Sequence, residues 1–131
     1  MKSVLIVDDE QIVLDVLQRI LSRLGYNTII SNSGMDAIRL YQENHFDLVL
    51  LDVLMPEKNG FEIAKELRKI NPDQKIVMVT GLGEDAVETQ AASEKVGIHT
   101  VLSKPFSFEK VKTVLNKLLN NEVDQAVTAS T

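Results

Sequence analysis

A small set of polar residues stands out for chemistry because each closes a short apolar run. Asp8 and Asp9 follow Val4 to Val7, Asp52 follows Leu48 to Leu51, Thr80 follows Ile76 to Val79, and Lys104 lies just beyond Thr100 to Leu102. Three carboxylates converging in one cleft repel one another, by roughly 4 kcal/mol per close pair at an effective dielectric near 20. Protonation relieves this, but a hard divalent cation with oxygen ligands is the better match for an acidic cluster. Magnesium, which keeps several waters and shares carboxylates with a phosphate, suits it best. Lys104 as a point charge and Thr80 as a hydrogen-bond donor then complete a site for an anion. Metal, lysine and hydroxyl together are equipment for phosphoryl transfer. Asp52 is the best-placed nucleophile, because it comes from the central run and shares its place with no second acid. Asp9, between Asp8 and Glu10, is better used as a metal ligand. Attack by Asp52 would give an acyl phosphate.

These residues can meet only if the elements before them end on one edge. Val4 to Val7 is a continuous apolar run that reads as a buried strand. Ile12, Val13, Val16, Leu17, Ile20, Leu21 and Leu24 recur at helical spacing, with Gly25 as the stop signal. Thr28 to Ile30 is a second strand, and Ser33, three residues before Asp36, caps a helix running to about Glu43. The third strand is Leu48 to Leu51. Breaker-rich Pro56 to Gly60 then precedes a helix carrying Ile63, Ala64, Leu67 and Ile70, which Asn71-Pro72 closes. Ile76 to Val79 is the fourth strand. After Gly81-Leu82-Gly83 comes a helix whose apolar positions, Ala86, Val87, Ala91, Ala92 and Val96, are mostly small, so it buries little and should be the most mobile. Thr100 to Leu102 is the fifth strand, and Ser107 caps a last helix with Phe108, Val111, Val114, Leu115, Leu118 and Leu119 inward. Apolar strands without alternation, separated by helices, call for a parallel sheet covered on both faces: an α/β, doubly wound fold. In such sheets ligands bind outside the carboxyl ends of the strands, where these polar residues fall. Residues 1–119 form the expected domain, and 120–131 read as a polar tail or linker stub.

Composition narrows the function. The 131 residues suit one domain, 44% of them hydrophobic and 25% charged, as in an ordinary globular core. The absence of cysteine excludes disulfides, thiolate metal sites and a thiol nucleophile, so a cytoplasmic location is expected. The opening residues are too short an apolar run for a signal peptide or a membrane span. Fourteen basic against nineteen acidic residues give a net charge of −5, the wrong sign for a domain that holds nucleic acid directly. Taken singly, each candidate has an ordinary structural role: an acid after a strand is a helix cap, a lone lysine is solvated, a threonine is a strand-end hydroxyl. Their joint placement at four strand ends is what points to a site. His45 and His99 lie away from those ends and read as solvated histidines, while Met55 reads as packed beneath its loop.

The acidic pair Asp8-Asp9, Leu51-Asp52 with Met55-Pro56 and Gly60, Val79-Thr80-Gly81 and Ser103-Lys104-Pro105-Phe106 together resemble a response regulator receiver domain of two-component signalling, over roughly Lys2 to Leu119. That resemblance implies a flavodoxin-like sheet with strand order 2-1-3-4-5. It implies phosphorylation at Asp52 by a phosphohistidine on a sensor histidine kinase or phosphotransfer protein. It also implies magnesium held by Asp9, Asp52 and the backbone carbonyl of Leu54, with Asp8 acting mostly through water. Lys104 would pair with Asp52 before transfer and with phosphoryl oxygens after it. Thr80 and the Gly81 amide would receive another oxygen, and the Lys104-Pro105 bond would be cis. An output domain or effector would read the altered surface, and a homodimer could form on phosphorylation.

Two positions depart from the family pattern. Val101 stands three before the lysine, where most members carry an aromatic residue that turns inward with the threonine, so the switch at Thr80 and Val101 is expected to be subtler. Leu54 cannot hydrogen-bond an attacking water, so self-dephosphorylation is expected to be slow to moderate. Leu54 also argues against a haloacid-dehalogenase-like, magnesium-dependent phosphohydrolase, which needs an aspartate there as general acid. A flavin- or nucleotide-binding module would want a phosphate cradle after the first strand, where Asp8-Asp9-Glu10 would repel phosphates. The expectation is therefore a phosphorylation-regulated switch rather than an enzyme with turnover.

Overall fold

The structure is a computed structural model and describes residues 1–119. Strands β1 (Ser3–Val7), β2 (Asn27–Ser31), β3 (Leu48–Asp52), β4 (Ile76–Thr80) and β5 (Thr100–Ser103) alternate with helices α1 (Gln11–Arg23), α2 (Gly34–Glu43), α3 (Gly60–Ile70), α4 (Glu84–Ser93) and α5 (Phe108–Leu119). Every neighbouring strand pair is parallel and the order is β2-β1-β3-β4-β5, so the doubly wound reading and its strand order hold. The expected tail, 120–131, lies outside the described residues.

The pleat explains why the strands read as unbroken apolar runs. Val4, Ile6, Leu48, Leu50, Val77, Val79 and Leu102 pack against Leu14, Leu17 and Leu21 of α1 and Val111, Leu115 and Leu119 of α5. Their alternates Leu5, Val7, Val49, Leu51, Ile76, Met78 and Val101 pack against Ala37 and Tyr41 of α2, Phe61, Ile63, Ala64 and Leu67 of α3, and Val87 and Ala91 of α4. Two cores thus share one sheet, and β3, β4 and β1 from Val4 onward are buried on both faces.

Helix ends follow local chemistry. The Ser33 hydroxyl accepts the Asp36 amide at 3.2 Å, and the Ser107 hydroxyl accepts that of Lys110 at 3.1 Å, as the sequence suggests. Asn59 and Glu62 close a reciprocal capping box on α3. Gly25 ends α1 with φ +91°, a conformation that residues with a Cβ adopt at a cost. At the end of the sheet away from the strand tips, the Arg68 guanidinium donates to the carbonyls of Gly97, Pro72 and Gln74, and the Lys75 ammonium donates to the Leu118 carbonyl at 2.6 Å.

Helix α4 is the exception to firm packing. Only Val87 and Ala91 of the helix are buried, so it buries little, as expected; Ala86 and Ala92 are exposed, and Val96, past the helix end, is buried. Alanine is too small to define an apolar stripe, so acidic and polar neighbours leave this helix with little amphipathic character. Amides of α4 are accordingly expected to exchange with deuterium well before those of α1 and α3. Equal protection across the three helices in an exchange experiment would refute this.

Candidate functional site

The alternation that fills the two cores also sorts the strand tips. In the extended chain, one residue past Val7 and Leu51 carries Asp8 and Asp52 to the side of α1 and α5, and two past Leu102, which already faces that side, carries Lys104 there. Thr80 and Ser103 fall on the α4 side by the same count. Asp8 extends the β1 ladder, its amide donating to the Ser31 carbonyl at 3.1 Å. Both Asp8 and Asp52 are buried, whereas Asp9 is exposed. Carboxylate oxygens of the three lie within 4.8 Å of one another.

Lys104 is the counter-charge. Its ammonium lies 3.2 Å from Asp8, 3.5 Å from Asp52 and 3.6 Å from Glu10. Burial disfavours the charged ammonium, yet Asp52, Asp8 and Glu10 together outweigh this and hold its pKa above the usual lysine value. The lysine is not enough for Asp52. Burial first, and the neighbouring Asp8 charge second, push the Asp52 carboxyl up to about 7 against the pull of Lys104. Negative charge at this edge is therefore under-compensated by the protein itself. An all-oxygen, carboxylate-rich donor set of this kind fits a small hard divalent cation.

Thr80 is buried, and its hydroxyl accepts the Leu82 amide at 2.8 Å. The Lys104 amide donates to the Thr80 carbonyl at 2.7 Å, which fixes the exit of β5 beside that of β4. Gly81, next along, is exposed. Val101 is buried in the core that α4 covers, and Leu54, two residues past Asp52, is 63% exposed. The Lys104-Pro105 bond is cis. Below Asp52 the chain doubles back: the Gly60 amide donates to the Val53 carbonyl at 3.0 Å, and a Cβ on Gly60 would lie 2.4 Å from the Asp52 carbonyl oxygen.

Asp8, Asp9, Asp52 and Lys104 are thus brought together, with Thr80 and Gly81 at the adjoining strand tip. Glu10 as a third carboxylate on the lysine was not anticipated, and no spacing signal marks it. The Asn59 capping box could have been found from its Asn-x-x-Glu spacing. His99 is exposed, as expected of a solvated histidine, and in addition its Nδ1 accepts the Ile76 amide at 3.2 Å while its own amide donates to the Ile76 carbonyl. Burial, then Arg68 and Lys75, keep that ring's pKa below the usual histidine value. His45 is solvated as expected, 3.5 Å from Asp47, and Met55 packs against the α2–α4 core.

An open parallel sheet in this order thus carries an acidic pocket and a lysine at its carboxyl edge, the arrangement that the receiver resemblance implies. Residues 4–116 match the family described as "Response regulator receiver domain", and the chain belongs to that family. It is 36% identical to the chemotaxis protein CheY of Thermotoga maritima over 118 residues, 89% of this chain and 97% of that protein. It is also 36% identical to the transcriptional regulatory protein ZraR of Escherichia coli, covering 98% of this chain but only 30% of ZraR. Among solved structures it superposes on Vibrio cholerae CheY4 with TM-score 0.85 at 29% identity, covering 91% of this chain and 99% of that one. It superposes on Thermotoga maritima TrrA, solved in complex with Mg2+ and BeF, with TM-score 0.80 at 32% identity, covering 91% and 100%. The protein is a CheY-like receiver domain of two-component signalling. No helix among the described residues is long and apolar enough to cross a membrane.

Proposed function

We propose that the chain is a phospho-accepting switch in which Asp52 takes a phosphoryl group from the phosphohistidine of a sensor histidine kinase or a histidine phosphotransfer protein. The observation that carries this reading is a buried carboxylate of raised proton affinity, flanked by two further acids and touched by a lysine. In the transfer, an ionised Asp52 oxygen bonds to phosphorus as the P–N bond breaks, and the bonding pair leaves with the imidazole nitrogen. Asp8, Asp9, Asp52 and the Leu54 carbonyl would hold magnesium, which supplies neutralising charge for the carboxylates and the phosphoryl oxygens when bound. Lys104 exchanges carboxylate contacts for phosphoryl oxygens. Thr80, whose hydroxyl accepts from Leu82, retains its own proton to donate to another oxygen, beside the Gly81 amide.

The modification adds about −1.5 to −2 charge. On the α4 side that charge meets Thr80 and the weakly packed α4, so the surface read by a partner or output domain is centred there. Val101, in place of an aromatic ring, limits the change to small shifts. ZraR and the Vibrio campbellii sensor kinase/phosphatase LuxN each contain a segment like this chain within a longer protein, consistent with output through either a fused or a separate partner. A cytoplasmic location and dimerisation on phosphorylation belong to the same reading.

Incubation with magnesium and acetyl phosphate should add one base-labile phosphoryl mass to the parent and none to Asp52→Asn. An adduct that survives in the variant would move the acceptor elsewhere, and none in the parent would remove the switch reading. Because apolar Leu54 cannot orient a water, Leu54→Asn is expected to shorten the acyl-phosphate lifetime severalfold, read by loss of the phosphoryl mass with time. An unchanged lifetime would show that this position does not gate hydrolysis.

A further inference from the structure

Glu10 occupies the N-cap position of α1, yet its side chain makes no capping hydrogen bond. That position favours Ser, Thr, Asp or Asn, whose short side chains reach the first free amides of the helix. The backbone there is nevertheless held firmly. The Glu10 amide donates to Asp8 Oδ1 at 2.9 Å, and its carbonyl accepts the amides of Val13 and Leu14 at 3.1 and 3.2 Å. From this fixed base the carboxylate lies 3.6 Å from the Lys104 ammonium, alongside Asp8 and Asp52. The two aspartates are buried, whereas the Glu10 side chain is 65% exposed. Glu10 therefore holds the lysine from the solvent side, the side from which a phosphoryl donor must enter.

We propose that Glu10 is a positioning residue for Lys104, drawing the ammonium toward the mouth of the site and competing with an incoming phosphoryl group for it. The proposal rests on the reading of Asp52 as phosphoryl acceptor. Glu10 touches neither the donor bond being broken nor Asp52, so its influence falls on donor binding and not on bond exchange. Its charge at the mouth also repels an anionic donor, in the same direction. An ion pair this exposed is worth little, which sets the expected effect at about two- to fivefold.

The test uses the full chain and Glu10→Gln. With acetyl phosphate as donor, the variant should show a KM lowered about two- to fivefold with the maximal phosphorylation rate within about twofold of the parent. Titration with beryllofluoride in magnesium, followed calorimetrically, should show tighter binding by a similar factor. In metal-free protein, the carbon-13 signal of the Lys104 Cε, assigned with Lys104→Arg, should shift in Glu10→Gln and stay in place in Glu88→Gln. An unmoved Lys104 signal overturns the proposal, as does an unchanged KM or a loss confined to the maximal rate. If the parent takes up no phosphoryl group at all, the acceptor reading fails, and the Lys104 signal still decides whether Glu10 holds the lysine.

Discussion

In metal-free buffer at pH 8, Asp52→Asn is expected to be more stable than the parent by up to about 4 kcal/mol, at roughly 1.4 kcal/mol per unit of pKa shift. The Asp52 carboxyl titrates at about 7 in the folded chain, against an ordinary value of 3.8. The folded state thus binds more protons than the unfolded one between those values, and stability falls as pH rises through that window. Above it the parent carries a buried charge that Lys104 only partly balances. The asparagine carries none. Below pH 4 both are neutral at this position and the difference should vanish. Magnesium should narrow the gap, because the parent keeps one more carboxylate for it than the variant and a ligand of the folded state stabilises it by about 2.7 kcal/mol at a hundred times its Kd. Urea melts at pH 4 and pH 8, with EDTA and with magnesium, make the check. A variant no more stable at pH 8 in EDTA would mean that the acidic cluster is not under strain.

Gly60→Ala is expected to lose about 3 kcal/mol of stability and most of its phosphoryl uptake, the upper range for an overpacked site. The added Cβ would meet the Asp52 carbonyl oxygen at 2.4 Å and the Val53 Cα at 3.1 Å, and both are backbone at the end of a central strand. No flexible side chain can yield there. Relief has to come from moving the β3–α3 loop, and with it the carboxylate of Asp52 and the carbonyl of Leu54. Gly81→Ala is the matched control for stability alone, since its Cβ meets nothing within 4 Å. Loss within about 0.5 kcal/mol of that control, the range of ordinary surface changes, would show that the loop is softer than its contacts imply.

Much of this was legible in the residues. The runs ending at Val7, Leu51, Val79 and Leu102 declared themselves because strands buried on both faces carry no polar alternation, and the polar residues closing them marked the functional edge. Helix starts at Ser33 and Ser107 followed from hydroxyl placement. What stayed hidden depends on contacts distant in sequence. Glu10 meets Lys104 across 94 positions of chain, and His99 finds the Ile76 amide across 23. Tyr41 buries its hydroxyl on Gln74 across 33. Gly60 read as a loop breaker, but its requirement comes from the approach of a strand carbonyl and not from its own φ. The alanines of α4 showed only that the helix buries little: a small residue is compatible with either face, so periodicity alone could not orient it.

The double-sided burial of the sheet has a consequence for how the strands find their places. Where one face is wet, a slip of one residue exposes apolar side chains and is rejected at once. In β3 and β4 every position from Leu48 to Leu51 and from Ile76 to Val79 is apolar, so a slipped pairing would still be oily on both sides. Greasy side chains can bind such strands together without indexing them. The index has to come from their tips: a carboxylate dragged inward by a slip would be buried without its lysine, and the Asp52 carbonyl would lose its fit against Gly60. The residues proposed to receive a phosphoryl group would thereby serve a second purpose as the alignment marks of the sheet, so replacing them would loosen the fold's registration as well as remove the proposed chemistry.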